Sequence, residues 1–286
     1  MPNSQSGEHA TRTESTDLLL ISPLHNFDCE KRLVKLDDHN CIRHIRNNEI
    51  ENLLSKTPVP QYYEALKHEL SSIEFVLEER QKARKGLPYK LETGSVGQCL
   101  LALRLFKKAD VEVPCSVLLE KEEDFVANLG VSLGETSYSA NPYCLEKKEI
   151  PDFVRLWNKL KRRDAKPNLH FSFHEFSQAF ETHIIEYKIY HYVVALESLV
   201  FYNIDRTFPH KGSLIGLSIG MLLGTNQKER DSIREMVEKA YQIRNGVAHG
   251  IIKYLEKHDK ESEEIATKLE DYLRKTLKRL LLEEEQ

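Results

Sequence analysis

The sequence predicts a mainly α-helical protein, in which a C-terminal bundle of four principal helices follows a smaller α+β N-terminal region. Three observations carry this. From Phe173 onward, apolar residues recur at helical spacing almost without interruption. Ahead of that stretch the pattern is mixed, with β-rich segments such as Ile73–Glu78 and the alternating Val111–Leu119 set between helical ones. Between the two regions, Lys166-Pro167-Asn168 reads as a boundary. The expected parts are a disordered tail over Met1–Asp17, a regulatory or sensor region over Leu18–Lys166, and the bundle over Pro167–Gln286.

In chain order, the Ser/Thr/Gly/Glu-rich start has no large apolar side chain after Met1 to order it. Leu18–Leu24 then supplies a strand or an anchoring segment, its length limited by Pro23. Ile50, Leu53 and Leu54 predict a helix over Asn47–Ser55, stopped before Pro58 and Pro60, and a short helical piece follows over Tyr62–Leu70. Ile73–Glu78 has strand composition. Val96, Cys99, Leu100, Leu103 and Phe106 mark a helix entered at Gly94-Ser95. A strand within Val111–Leu119 and a Gly/Ser/Asn-rich loop over Gly130–Pro142 come next. Ile150–Arg163 is a helix with Phe153, Leu156, Trp157 and Leu160 inward, and its basic end reads as solvated or as an RNA contact.

In the bundle, Phe173–Tyr202 has no Pro or Gly and predicts one long helix spanning the domain. Ser213–Leu223 is a short, very apolar helix whose Gly216 and Gly220 permit close approach of a neighbour, with Gly224 placed to end it. Asn226 followed by Glu229 resembles a capping box for a helix through Ile233, Met236, Val237, Ala240 and Tyr241, capped at Gly250. The last helix, Lys260–Glu284, aligns Ile265, Leu269, Tyr272, Leu273, Leu277, Leu280 and Leu281 on one face.

The 286 residues are 40% hydrophobic and 30% charged, with a net charge of -4, which suits a globular chain and excludes a polycation that coats nucleic acid. Any RNA site must be local. Five scattered cysteines with no Cys-x-x-Cys pair predict reduced thiols in a cytoplasmic protein. No apolar run reaches membrane-spanning length and no secretory signal opens the chain, so no membrane partner is expected. P-loop, dinucleotide-binding and serine-hydrolase motifs are absent, so no cofactor is expected. His170, His174 and Glu175 have zinc-like spacing but lack a third ligand, and no metal site is assigned.

Chemistry concentrates in Tyr241-Gln242-Ile243-Arg244-Asn245-Gly246-Val247-Ala248-His249-Gly250. Arginine offers a fixed fork of donors for a phosphate, and histidine exchanges a proton near neutral pH. The same residues have a purely structural reading, with Arg244 paired to Glu197 or another carboxylate, His249 on a terminal carbonyl and Asn245 as a cap. On an ideal helix a five-residue step turns the side chain by roughly 140°. Arg244 and His249 therefore share a face only if the helix is distorted near Gly246; otherwise a second copy completes the site.

Taken with Val194-Ala195-Leu196-Glu197-Ser198-Leu199, Leu222-Leu223-Gly224 and Glu229-Arg230, this stretch resembles the Apea-like family of HEPN domains (higher eukaryotes and prokaryotes nucleotide-binding). Weaker echoes lie in Ile42–Leu53 and Ala102–Lys107. RNA-cleaving HEPN proteins carry an Arg, a polar residue directly after it and a His five to seven positions later, which Arg244, Asn245 and His249 match. The resemblance implies a metal-independent endoribonuclease of a prokaryotic defence or toxin system, acting as a homodimer. It would use the 2'-hydroxyl of RNA as nucleophile and leave a 2',3'-cyclic phosphate. Arg244 would clamp the phosphate, His249 act as base or acid, and Asn245 orient it, with Glu197 and Tyr241 in support. The alternative is a catalytically silent HEPN module that binds nucleotide or a protein partner.

Overall fold

The computed structural model describes residues 15–46, 49, 67, 73–84, 94–108, 110–120, 124–131, 143–161, 166–202, 209–250 and 260–283. By contacts within the chain these fall into two compact units, residues 1–99 with 110–154, and residues 100–109 with 155–286. The division lies ahead of the boundary expected at Lys166, and the second unit also takes in residues 100–109.

The first unit is built on strand β1, Ser15–Leu24. Its Leu18, Leu19, Leu20 and Ile21 are all buried, so both faces of the strand are covered and the apolar run is continuous. β1 begins three residues earlier than the onset of order expected at Leu18. It lies inside a six-stranded antiparallel sheet of order β3-β4-β5-β1-β6-β7. The other strands are β3 Leu33–Lys35, β4 Asn40–His44, β5 Phe75–Arg84, β6 Cys115–Glu120 and β7 Asp124–Val131. Pro23 is accommodated because β6 pairs only with Leu18–Ile21, so the missing N–H falls beyond that ladder. β2 Phe27–Cys29 and β8 Tyr143–Leu145 form a separate parallel pair. Arg43 ties β4 to β5 through Glu78 at 2.5 Å and also grips Glu49 at 2.6 Å.

Helix α1, Gly94–Phe106, has the expected bounds, and α2, Ile150–Lys161, buries Phe153, Leu156 and Trp157 as its spacing predicts. The strand expected over Ile73–Glu78 is found as β5, which begins two residues later and runs on to Arg84, and β6 supplies the strand within Val111–Leu119. The helices expected over Asn47–Ser55 and Tyr62–Leu70 lie outside the described residues, apart from Glu49 and Lys67. So does most of the loop expected over Gly130–Pro142, although β7 occupies its first two positions.

The second unit corrects the bundle. The long helix expected over Phe173–Tyr202 is two, α3 Pro167–Gln178 and α4 Ile185–Phe201. The break needs no Pro or Gly. α3 folds back on α4, so that Phe176 meets Tyr192 with ring centroids 6.2 Å apart, while the Ser172 hydroxyl donates to the Ala195 carbonyl and contacts Ser198 Oγ at 2.6 Å. The turn buries two apolar stripes against each other, and in the turn the Ile184 amide donates to Thr182 Oγ1. At and just after the turn, Ile184 and Tyr187 are 42% and 38% exposed. With α5 Lys211–Leu223, α6 Gln227–Ala248 and α7 Lys260–Glu283, residues 167–283 carry five described helices rather than four.

α5 and α6 are antiparallel and unusually close. A Cβ at Gly216 or Gly220 would lie 2.9 Å from the backbone of Arg234 or Arg230, and one at Gly212 would lie 2.9 Å from Tyr241 Cβ and Cγ. The turn between them is capped much as expected. Asn226 Oδ1 accepts from the Glu229 amide, but the Glu229 carboxylate reaches back to the amide and hydroxyl of Thr225 rather than to Asn226. At the other end Gly250 has φ +65°, the left-handed conformation of a C-terminal glycine, and its amide donates to the Val247 carbonyl. α7 buries Ile265, Leu269, Leu273, Leu277 and Leu281 as predicted.

Candidate functional site

The site residues come from three helices of the second unit. Glu197 lies in the C-terminal half of α4, Lys211 opens α5, and Tyr241, Arg244 and Asn245 lie in the last turns of α6. α6 reaches this point on its inward face, where Ile233, Val237 and Ala240 are buried. One turn further the same face presents Arg244, and the side chain available to meet it is a carboxylate.

Arg244 Nη2 donates to Glu197 Oε2 at 2.9 Å, and Nη1 donates to Asn245 Oδ1 at 3.2 Å. The pair is half-buried, with side-chain exposures of 23% and 18%, so it is neither a screened surface bridge nor a sealed core pair. Tyr190 and Tyr241 flank the guanidinium, its carbon lying 5.8 Å and 5.7 Å from their ring centroids. Lys211 Nζ stands 3.9 Å from the other oxygen of Glu197. One carboxylate thus faces two cations, leaving a local surplus of one positive charge. Burial, and then the Glu197 charge, push the Tyr241 phenol above its ordinary range, while Arg244 pulls the other way.

His249 is placed differently. α6 is regular through Gly246, the His249 amide still donating to the Asn245 carbonyl at 3.0 Å, so no distortion turns His249 toward Arg244. It is the exposed C-terminal cap residue, and its imidazole makes no hydrogen bond among the described residues. The structure therefore joins Arg244, Asn245, Glu197 and Tyr241 in one cluster and leaves His249 beside it. Asn245 binds the guanidinium rather than capping the helix.

Sequence reasoning missed Lys211 and Tyr190. Lys211 precedes Ser213, where its helix is expected to begin, and Tyr190 falls in the interior of the continuous helix expected over Phe173–Tyr202. A signal was available for Tyr190, which lies seven residues, two helical turns, before Glu197 and so on the same face. Elsewhere, His170 and His174 are exposed on α3, and Glu175 Oε2 meets His191 Nδ1 at 2.8 Å. Among the described residues no group of three His, Cys, Asp or Glu side chains is placed to hold a metal ion, and no helix is long and apolar enough to cross a membrane. All five cysteines are free thiols.

In comparisons with known proteins the chain matches no family model, no curated protein and no solved structure.

Proposed function

We propose that this protein is a metal-independent endoribonuclease of the HEPN type, with Arg244 as phosphate clamp and His249 as proton-transfer group. The observation that carries the reading is the surplus cation: Glu197 faces Arg244 at 2.9 Å and Lys211 at 3.9 Å, at the end of the helix that His249 caps. A phosphorane built from an RNA phosphodiester is more negative than the phosphate it comes from, so a half-buried cation fixed by a carboxylate and an amide stabilises the transition state more than the ground state. In the reaction the 2'-oxygen bonds to phosphorus, its proton passes to a neutral imidazole, and the bond to the 5'-oxygen breaks as that oxygen takes a proton from an imidazolium. The products are a 2',3'-cyclic phosphate and a 5'-hydroxyl.

Base and acid can be two imidazoles, and one chain presents one His249, a five-residue helical step of roughly 140° from its own Arg244. A symmetric dimer supplies both histidines and brings each to the partner's arginine. The fit to a prokaryotic defence or toxin role rests on the same residue pattern, with the first unit as the regulatory part. A second reading is favoured by one feature: Arg244 is already engaged by Glu197 and Asn245, as it would be in a silent binding module.

The test is to incubate wild type, Arg244→Ala and His249→Ala with total RNA in EDTA and to identify the new ends. Cleavage with cyclic-phosphate ends that is lost in both variants is the expected result. Cleavage that persists in either variant removes that residue from the site, and an active monomer in sedimentation refutes the composite arrangement.

A further inference from the structure

Beside the Arg244 cluster, the start of α5 and one face of α6 enclose an open cleft of about 580 Å³, within the range of small-ligand sites. Its walls differ in character. His210 and Lys211 line one side, and Glu238, Tyr241 and Gln242, which share a face of α6, line the other, with Ser213 between. The aromatic wall is built into the backbone, because Gly212 lies against the Tyr241 ring where any Cβ would be 2.9 Å from it. The cleft is also continuous with the cation cluster. Tyr241 flanks Arg244 at 5.7 Å, and Lys211 approaches Glu197, the partner of Arg244.

We propose that this cleft holds a nucleobase of the RNA whose phosphate lies at Arg244, and that it prefers bases carrying an exocyclic amino group over uracil. The inference rests on the reading of Arg244 as a phosphate clamp, and it adds the part of the substrate that the clamp does not read. Tyr241 offers a ring for stacking, and the single turn of helix to Arg244 lets one nucleotide reach both. Glu238 as a carboxylate accepts hydrogen bonds only, and its ion pair with Arg234 Nε at 3.2 Å involves one oxygen. A carboxylate suits the amino groups of adenine, cytosine and guanine and repels the O4 carbonyl of uracil, while the Gln242 amide adds both a donor and an acceptor. Lys211 and His210 face the sugar-phosphate side.

The test is anisotropy with labelled 2'-O-methyl hexamers of adenosine, cytidine and uridine, which bind without being cleaved, competed by AMP, CMP and UMP. The proteins are the full-length wild type, Tyr241→Ala, Tyr241→Phe, Glu238→Gln and Arg244→Ala, each checked for wild-type helicity. Adenosine and cytidine hexamers are expected to bind roughly tenfold tighter than the uridine hexamer, as one specific base contact implies. Tyr241→Ala should weaken the two preferred hexamers by about tenfold, the loss of one base stack, while Tyr241→Phe retains that affinity. Glu238→Gln should narrow the discrimination against uridine. Equal affinity for the three hexamers, unchanged binding by folded Tyr241→Ala, or no binding by wild type each overturns the proposal. Mononucleotides competing at the affinity of the hexamers overturn its RNA part and assign the cleft to a free nucleotide. The base preference surviving in Arg244→Ala without loss of affinity, with no cleavage by wild type, keeps the base cleft and sinks the clamp.

Discussion

At Gly216 one added methyl group sets two effects of known sign against each other. Alanine gains about 1 kcal/mol over glycine in a helix interior from the smaller entropy lost on folding. Its Cβ, however, would lie 2.9 Å from both the Cα and the carbonyl oxygen of Arg234, and 3.0 Å from Arg234 Cγ. Carbon contacts become favourable only at about 3.5 Å, so α5 and α6 would have to part by roughly half an ångström. Two of the three obstructing atoms are backbone and cannot rotate away, so the whole helix pair moves. Ile215 and Ile219 of α5, which belong to the same core as Ile233 and Val237 of α6, then lose contact as well. Overpacking costs about 1–3 kcal/mol, and rigid obstruction belongs in the upper half of that range. Set against the propensity gain, the net loss is about 1–2 kcal/mol, or roughly 2–8 °C in melting temperature. Gly97 is the control, since a Cβ there meets nothing within 4 Å. Gly97→Ala should therefore stabilise by up to about 1 kcal/mol. Thermal melts followed by circular dichroism measure both, and a Gly216→Ala protein as stable as wild type would refute the packing argument.

Two further outcomes follow from electrostatics and burial in the first unit. Burial works against ionisation of Glu49, but hydrogen bonds from Arg43 and from the Arg46 amide prevail and hold its carboxyl below the ordinary carboxylate range. Because the folded value is depressed, the stabilisation is complete above the unfolded value of roughly 4.3 and is lost as pH falls through the folded value. Urea midpoints of wild type should exceed those of Glu49→Gln at neutral pH, with the gap closing in acid; a gap independent of pH refutes the assignment. Among the thiols, burial pushes Cys99 up to about 12, and Cys29, Cys99 and Cys115 are buried while Cys41 and Cys144 are half-buried. Titration of the native protein with a disulfide reagent should modify no more than two thiols before unfolding, and fast reaction of Cys99 would contradict its burial.

What was legible in the sequence depended on whether a signal was local. The C-terminal cap is local: Gly250 adopts the left-handed conformation that favours glycine there, and Asn226 captures the Glu229 amide at the other end of the same helix. Periodicity sufficed for α2 and α7, where one face is buried throughout. It failed between α3 and α4, because every residue from Phe173 to Tyr202 tolerates a helix. The turn at Ala179–Ile184 is selected by packing across it, with Phe176 meeting Tyr192 and Ser172 meeting Ala195. The β3–β4 hairpin was missed for a related reason. Its buried positions include Arg43, whose polar identity conceals a core role that only Glu49 and Glu78 make affordable.

The candidate site divides along the same line. Arg244 and Asn245 are adjacent, and their contact with each other needs no tertiary information. Glu197 was within reach of sequence reasoning as a possible partner for Arg244, but the geometry that joins them depends on α4 packing on α6. Lys211 and the cleft depend on glycines. Without a side chain at Gly212, α5 begins against the Tyr241 ring, and this brings Lys211 within 3.9 Å of Glu197. A larger residue at that position would displace the ring, widen the cleft and draw the second cation away from the carboxylate. The glycines of α5 thus position the site as well as the core, although none of them can take part in chemistry. His249 gains nothing from this packing, since it is the exposed cap residue past the last buried turn of its helix.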